Sequence, residues 1–225
     1  MSKKYFAIQQ ADRIADVYIF GDIVAPEIFP GEVSADGFRQ QIETLDVDEI
    51  RVHIDSYGGY VSEGWAIYNA LRQHPAKIVT YGDGFVASAA LYPFLAGDER
   101  IASNLSAYYF HRVIMAAEGY ADDLRAAADQ ADTLTDVGIN AFVERTNMSA
   151  DDVRALMESE TWLTPDQALE YGLATSITAD EAMPIAQAAK KAIMQKVFKP
   201  IQINQEPRAD EPVPNPIMKL FERSK

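Results

Sequence analysis

A serine among small residues, a histidine closing an aromatic run and a glycine pair after a strand are the groups here that could do chemistry together. Ser88 sits in the stretch Gly82-Asp83-Gly84-Phe85-Val86-Ala87-Ser88-Ala89-Ala90. His111 follows Tyr108-Tyr109-Phe110, and Gly58 and Gly59 close the turn Ser56-Tyr57-Gly58-Gly59. A serine hydroxyl is a weak nucleophile until a base takes its proton, and an imidazole suits that task near neutral pH. Glycine allows positive φ and close ligand approach, which makes the Gly59 N–H a candidate oxyanion donor. The Ala89 N–H is its natural partner, because amides at a helix start lack intrahelical acceptors. Each group also has a plainer reading. Ser88 would serve as a helix N-cap, His111 as a structural histidine in a strand, and the glycine pair as an ordinary turn. A carboxylate to orient His111 cannot be chosen by spacing from 34 acidic residues.

The elements that must hold these groups follow from the hydrophobic pattern. Tyr5 to Ile8, Val17 to Phe20, Ile50 to Ile54, Ile78 to Tyr81, Tyr108 to Val113 and Leu173 to Ile177 read as strands. Phe38, Ile42 and Leu45 recur at helical spacing, as do Trp65, Tyr68 and Leu71 before the stop at Pro75. Ala87 to Ala96 reads as a small-residue helix kinked at Pro93. Asp122 opens a long helix to Arg145, with Leu124, Ala128, Ala131, Leu134 and Val137 on one face. Ser149 with Asp152 caps a short helix to Met157, and Thr164-Pro165-Asp166-Gln167 starts another that Gly172 ends. Strand and helix alternate from residue 50 to 113, which predicts an α/β fold of right-handed βαβ units around a mostly parallel sheet.

Composition narrows the function classes. The 225 residues are 48% hydrophobic, enough for one core and an appendage. There is no cysteine, so disulfides and thiolate catalysis are excluded, and three histidines (His53, His74, His111) argue against a histidine-rich metal site. His53 and His74 have no catalytic punctuation nearby and read as structural. A net charge of −14 disfavours nucleic acid as a partner. No apolar run approaches the ~20 residues of a membrane span, and the N-terminus leads into no signal-type core, so a soluble cytoplasmic protein is expected. Residues 1–182 carry 12 basic and 30 acidic side chains, whereas residues 183–225 carry 8 and 4. The boundary predicts a domain over 1–180 and a C-terminal extension over 181–225. That extension would hold a helix over 183–198 and then a proline-rich, mobile tail.

In order along the chain, five segments resemble the Clp protease family of serine peptidases. These are Asp55-Ser56-Tyr57-Gly58-Gly59, Gly64-Trp65-Ala66-Ile67-Tyr68, Gly84-Phe85-Val86-Ala87-Ser88-Ala89, Tyr109-Phe110-His111 and Leu163-Thr164-Pro165-Asp166-Gln167-Ala168-Leu169-Glu170-Tyr171-Gly172-Leu173. The resemblance spans residues 17–177 and implies the crotonase-like spiral of βαβ units with a long handle helix. It further implies Ser88 as nucleophile, His111 as general base, and the N–H groups of Gly59 and Ala89 as the oxyanion hole. The family's catalytic aspartate falls at Glu160, one methylene longer. Asp55 and Tyr57 stand where the family usually has Asn and Pro. Gly58 and Gly119 would line the path of a substrate strand that adds by backbone hydrogen bonding. No cofactor or metal is implied. Ring homo-oligomers are, with the helix from Asp122 as the handle between subunits. Glu160-Thr161-Trp162-Leu163-Thr164 and Asp122-Asp123-Leu124-Arg125 resemble the phage and prophage branch. Its members are head-maturation proteases that cleave scaffold and capsid proteins, which would place this chain in the host cytoplasm or inside the procapsid. The alternatives are a housekeeping Clp-type peptidase serving an ATP-dependent unfoldase, and a non-catalytic assembly protein of the same fold.

Overall fold

Alternating burial along three neighbouring strands dictates the architecture. In β2 (Ile14–Ile19) and β3 (Glu49–Ser56), every second residue is fully buried, and β4 (Lys77–Ala87) runs parallel beside β3. The structure is a computed structural model that describes residues 8–11, 13–27 and 32–178. A strand β1 (Ile8–Ala11) pairs antiparallel with β2, and β2 pairs parallel with β3. The crossovers carry α1 (Ala35–Ile42), α2 (Val61–Gln73) and α3 (Leu91–Leu95). β5 (Glu99–Ala102) and β8 (Ser176–Ile177) extend the sheet to the order β1-β2-β3-β4-β5-β8. Val17, Ile19, Val52 and Ile54 pack with Phe38, Ile67, Leu71 and Phe94 in one core. Each such side chain contributes about 1.5–3 kcal/mol through burial.

The opposite face of these strands stays partly open. There His53 is stacked between Tyr18 and Tyr81, with ring centroids 4.9 and 4.7 Å away. Its Nδ1 lies 2.7 Å from an Asp83 carboxylate oxygen. This histidine has the structural role its sequence setting predicts.

β4 forks, and the fork builds the site. Val79–Gly82 pairs with β5, whereas Phe85–Ala87 pairs with β6 (Ala107–Tyr109). The pairing with β3 jumps between Ile54 and Ser56, so Asp83 and Gly84 bulge outward. Asp55 braces the bulge by accepting the Phe85 N–H at 2.9 Å. β6 in turn pairs antiparallel with the two-residue β7 (Trp162–Leu163).

α4 (Ala121–Arg145) covers the predicted long helix, yet it buries only Thr135, Gly138, Ile139 and Phe142. The predicted apolar face is not a core face over its first half, and Leu124 is 46% exposed. α5 (Ala150–Glu158) and α6 (Pro165–Glu170) start with the predicted caps: Ser149 accepts from the Asp152 N–H, and Thr164 from the Gln167 N–H. The small-residue helix begins instead as a 3-10 turn over Ser88–Ala90. Pro93 then falls in the first turn of α3, where a missing N–H costs little. The predicted strand Tyr108–Val113 is shorter; after Tyr109 the chain runs on outside any strand to α4. The first predicted helix shifts to begin at the N-cap Ser34. Residues 5–7 and the extension over 181–225, with its helix 183–198 and tail, lie outside the described residues.

Arg100 ties the helix ends together. It is 7% exposed and donates to the carbonyls of Gly97, Arg145, Gly172 and Leu173 at 2.8–3.0 Å. Burial, and then the charge of Arg145, push its guanidinium down to about 10. It stays cationic at neutral pH and complements the negative ends of α4 and α6.

Candidate functional site

Ser88 stands where β4 hands over to α3. Ala87 is still extended, whereas Ser88 has a φ of +57°, in the left-handed region that non-glycine residues rarely occupy. Such a conformation costs about 1–3 kcal/mol and persists only where neighbours enforce it. Two glycines form that enforcement. A Cβ on Gly58, whose φ is +93°, would meet the Ala87 carbonyl at 2.5 Å and the Ala89 nitrogen at 2.8 Å. A Cβ on Gly64 would meet the Ala89 carbonyl at 2.6 Å. Only glycine at both positions lets the upstream turn and α2 close directly onto the serine turn.

The upstream turn is fastened in its own right. Ser56 is buried; its hydroxyl donates to the Gly21 carbonyl and accepts the Gly58 N–H at 3.0 Å. Ile23 donates to the Gly58 carbonyl and accepts from the Tyr60 N–H, both at 2.8 Å. Gly59 sits between these fixed points and, with Ala89, lines the cleft that contains Ser88.

His111 arrives from the other side. Phe110 is buried, its ring lies 5.1 Å from that of Phe142, and its N–H donates to the Thr161 carbonyl at 2.9 Å. Tyr109 stacks on Trp162 with centroids 4.6 Å apart. Pinned by both neighbours, the imidazole reaches back so that Nε2 lies 2.6 Å from the Ser88 hydroxyl oxygen. The structure thus brings Ser88, His111, Gly58, Gly59 and Ala89 to one place.

Two other candidates stand apart. The buried Nδ1 of His111 has no hydrogen-bond partner among the described residues. Glu160, itself at a φ of +48°, lies by the Tyr109 hydroxyl. Burial and then the Glu160 carboxylate hold that phenol above its usual range. Gly119 is exposed at the turn into α4 and is absent from the cleft lining, which along this stretch ends at Met115.

The cleft has a volume of about 480 Å³. Leu91, Tyr92, Phe142 and Met157 line it together with Tyr57, Tyr60 and Trp162 near its mouth. Sequence reasoning missed most of these residues, as well as Gly64. Tyr57 and Tyr60 flank the glycine pair and were findable; Leu134 and Met157 come from distant helices and were not. Among the described residues there is no cluster of histidine and carboxylate side chains able to hold a metal ion. Among them, too, no helix is long and apolar enough to cross a membrane.

The family model described as Clp protease matches residues 32–181, two-thirds of the chain. The chain belongs to the Clp protease family. It is 33% identical, over 69% of its length and 82% of the relative's, to the ATP-dependent Clp protease proteolytic subunit 2 of Treponema pallidum. The subunit of the same name from Pseudomonas aeruginosa is 25% identical over 77% of this chain and 86% of its own. Among solved structures, a ClpP1 mutant from Listeria monocytogenes superposes with a TM-score of 0.62 over 75% of this chain and 92% of its own, at 21% identity. That likeness fixes the crotonase-like fold. This member of the Clp family is a serine-type peptidase.

Proposed function

We propose that this Clp-family peptidase cleaves scaffold and capsid proteins during phage procapsid maturation, with Ser88 as nucleophile. The 2.6 Å approach of His111 Nε2 to the Ser88 hydroxyl carries the catalytic part of this reading. His111 takes the Ser88 proton as Ser88 attacks the scissile carbonyl, and the N–H groups of Gly59 and Ala89 bind the oxyanion, at about 3 kcal/mol per donor. His111 then protonates the leaving amine, and water repeats the sequence to free the acyl group. For Nε2 to accept, the imidazole proton must sit on Nδ1. That buried N–H needs an acceptor, since leaving it unmade costs about 1–3 kcal/mol. Glu160 is the third member on this reading, turning from Tyr109 to His111. No cofactor enters the bond chemistry. Substrate strands lie along Gly58 and the stretch that leads to Gly119.

The capsid substrates rest on the phage-like segments Glu160–Thr164 and Asp122–Arg125. Rings of this chain are supported by apolar side chains of α4 that the described residues leave half exposed: Leu124 is 46% and Val137 51% exposed. The site of action on this reading is the host cytoplasm, including the procapsid interior. A second reading, with an ATPase unfoldase as partner, is favoured by the ATP-dependent subunits among the relatives.

Fluorophosphonate labelling followed by mass spectrometry tests the site: label is expected on Ser88. Ser88→Ala should lower proteolysis by on the order of 10⁴-fold or more. Purified chain incubated with capsid and scaffold proteins, with and without an unfoldase and ATP, separates the two biological readings. Cleavage without ATP supports maturation, whereas cleavage that requires the unfoldase supports the second. Wild-type protein that takes no label would return the chain to a purely structural role in assembly.

A further inference from the structure

Nine arginines fall within the described residues, and eight of them have partners. Arg13, Arg39, Arg51, Arg72, Arg125 and Arg154 pair with carboxylates. Arg100 and Arg145 donate to backbone carbonyls. Arg112 alone has neither, and among the described residues it has no hydrogen-bond, ion-pair or ring partner. In a chain with 34 acidic and 20 basic residues, an arginine without a carboxylate is conspicuous. Its place is informative too. It follows His111 directly, is exposed, and is the single permanently charged residue among those lining the cleft.

We infer that Arg112 is a specificity-determining residue that binds a substrate carboxylate beside the scissile bond. This rests on the reading of Ser88 and His111 as the reacting pair. A guanidinium presents a planar fork of donors that matches a carboxylate with two parallel hydrogen bonds. The net charge of −14 opposes acidic substrates at long range. That field is screened beyond about 8 Å at physiological salt, so the contact pair outweighs it there. Residues of an extended substrate are about 3.4 Å apart, and Arg112 adjoins His111, so the carboxylate belongs within about two residues of the cleaved bond. A glutamate or aspartate side chain would supply it, and so would a free chain terminus.

The test uses the full-length protein and terminally blocked peptides that carry Glu, Gln or Lys at each of the two positions on either side of the cleaved bond. At one position, wild type should cut the Glu peptide with kcat/KM about fivefold above the Gln peptide. Arg112→Glu should invert the order, making the Lys peptide the best substrate, and Arg112→Lys should keep part of the Glu preference. A parallel peptide with an unblocked carboxyl terminus distinguishes the sources: preference for it alone, lost in Arg112→Glu, assigns Arg112 to the terminus. Fluorophosphonate labelling of Ser88 in every variant reports on the reacting pair. Normal labelling with equal Glu, Gln and Lys rates, unchanged by Arg112→Glu, overturns the inference and leaves the pair standing. An assembly defect in Arg112→Glu with unchanged ratios also overturns it. Failure of wild type to take label removes the reading of the pair, and this inference with it.

Discussion

The two walls of the cleft are built differently. The serine wall is held from all sides: Ala87 and Ala89 are buried, Gly58 and Gly64 press on their backbone, and Ser56 and Ile23 fasten the glycine turn. The histidine wall is anchored at its root through Phe110 and Tyr109, and past His111 by one further bond, from the Val113 N–H to the Thr135 hydroxyl at 3.1 Å. Beyond His111 the chain leaves the sheet, Ile114 is 81% and Tyr120 88% exposed, and α4 buries nothing before Thr135. Strain at Ser88 survives because its surroundings over-determine it. Among the described residues the opposite wall keeps an unpartnered imidazole nitrogen and exposed apolar side chains. One wall is completed by the chain's own core, and the other has fewer fastenings past His111.

Substitutions on each wall can sharpen or break this contrast. The largest effect is expected at Gly58→Val, which puts a branched side chain at a φ of +93° and into the Ala87 carbonyl. It should destabilise the fold by roughly 3 kcal/mol or more in chemical denaturation and abolish fluorophosphonate labelling. Arg100→Met comes next. It takes a donor from four carbonyls, of which, among the described residues, Gly97 alone keeps another from Arg145, so a loss of about 2–3 kcal/mol is expected with labelling per folded molecule retained. On the proposed reading of Glu160 as the group that orients the imidazole, Glu160→Gln should slow peptide hydrolysis by about tenfold, with stability within about 0.5 kcal/mol of wild type because the amide oxygen can still accept from Tyr109. The smallest effect belongs to Leu124→Ser, expected within about 0.5 kcal/mol of wild type, whereas Phe142→Ala on the same helix should cost about 3–5 kcal/mol. Equal losses at Leu124 and Phe142 would erase the distinction between the two halves of α4.

Much of the framework was legible because its signals are local. Alternation in β2 and β3, the Ser149 and Thr164 caps and the stop at Gly172 all act within a few residues, and all appear where expected. β5 and β7 were not, since Glu-Arg-Ile-Ala and Trp-Leu carry too little pattern; β5 is a strand because β4 offers it an edge, and β7 because β6 does. At the site, residue types and family order pointed to Ser88 and His111. The left-handed serine was invisible, because its cause lies in glycines 24 and 30 residues upstream. The position of Glu160 was equally hidden: which donor a carboxylate faces depends on a rotamer beside Tyr109, and no periodicity encodes that.

Arg100 reaches across 73 residues of sequence to the Leu173 carbonyl while the same guanidinium holds Gly97, Arg145 and Gly172. A turn that carries the guanidinium with it as it peels away strips a donor from the others. The ends of α4 and α6 and the turn after α3 should therefore open as one unit, and their slowest amides should exchange with solvent at a common rate. A lone side chain can in this way set the grain at which a protein comes apart.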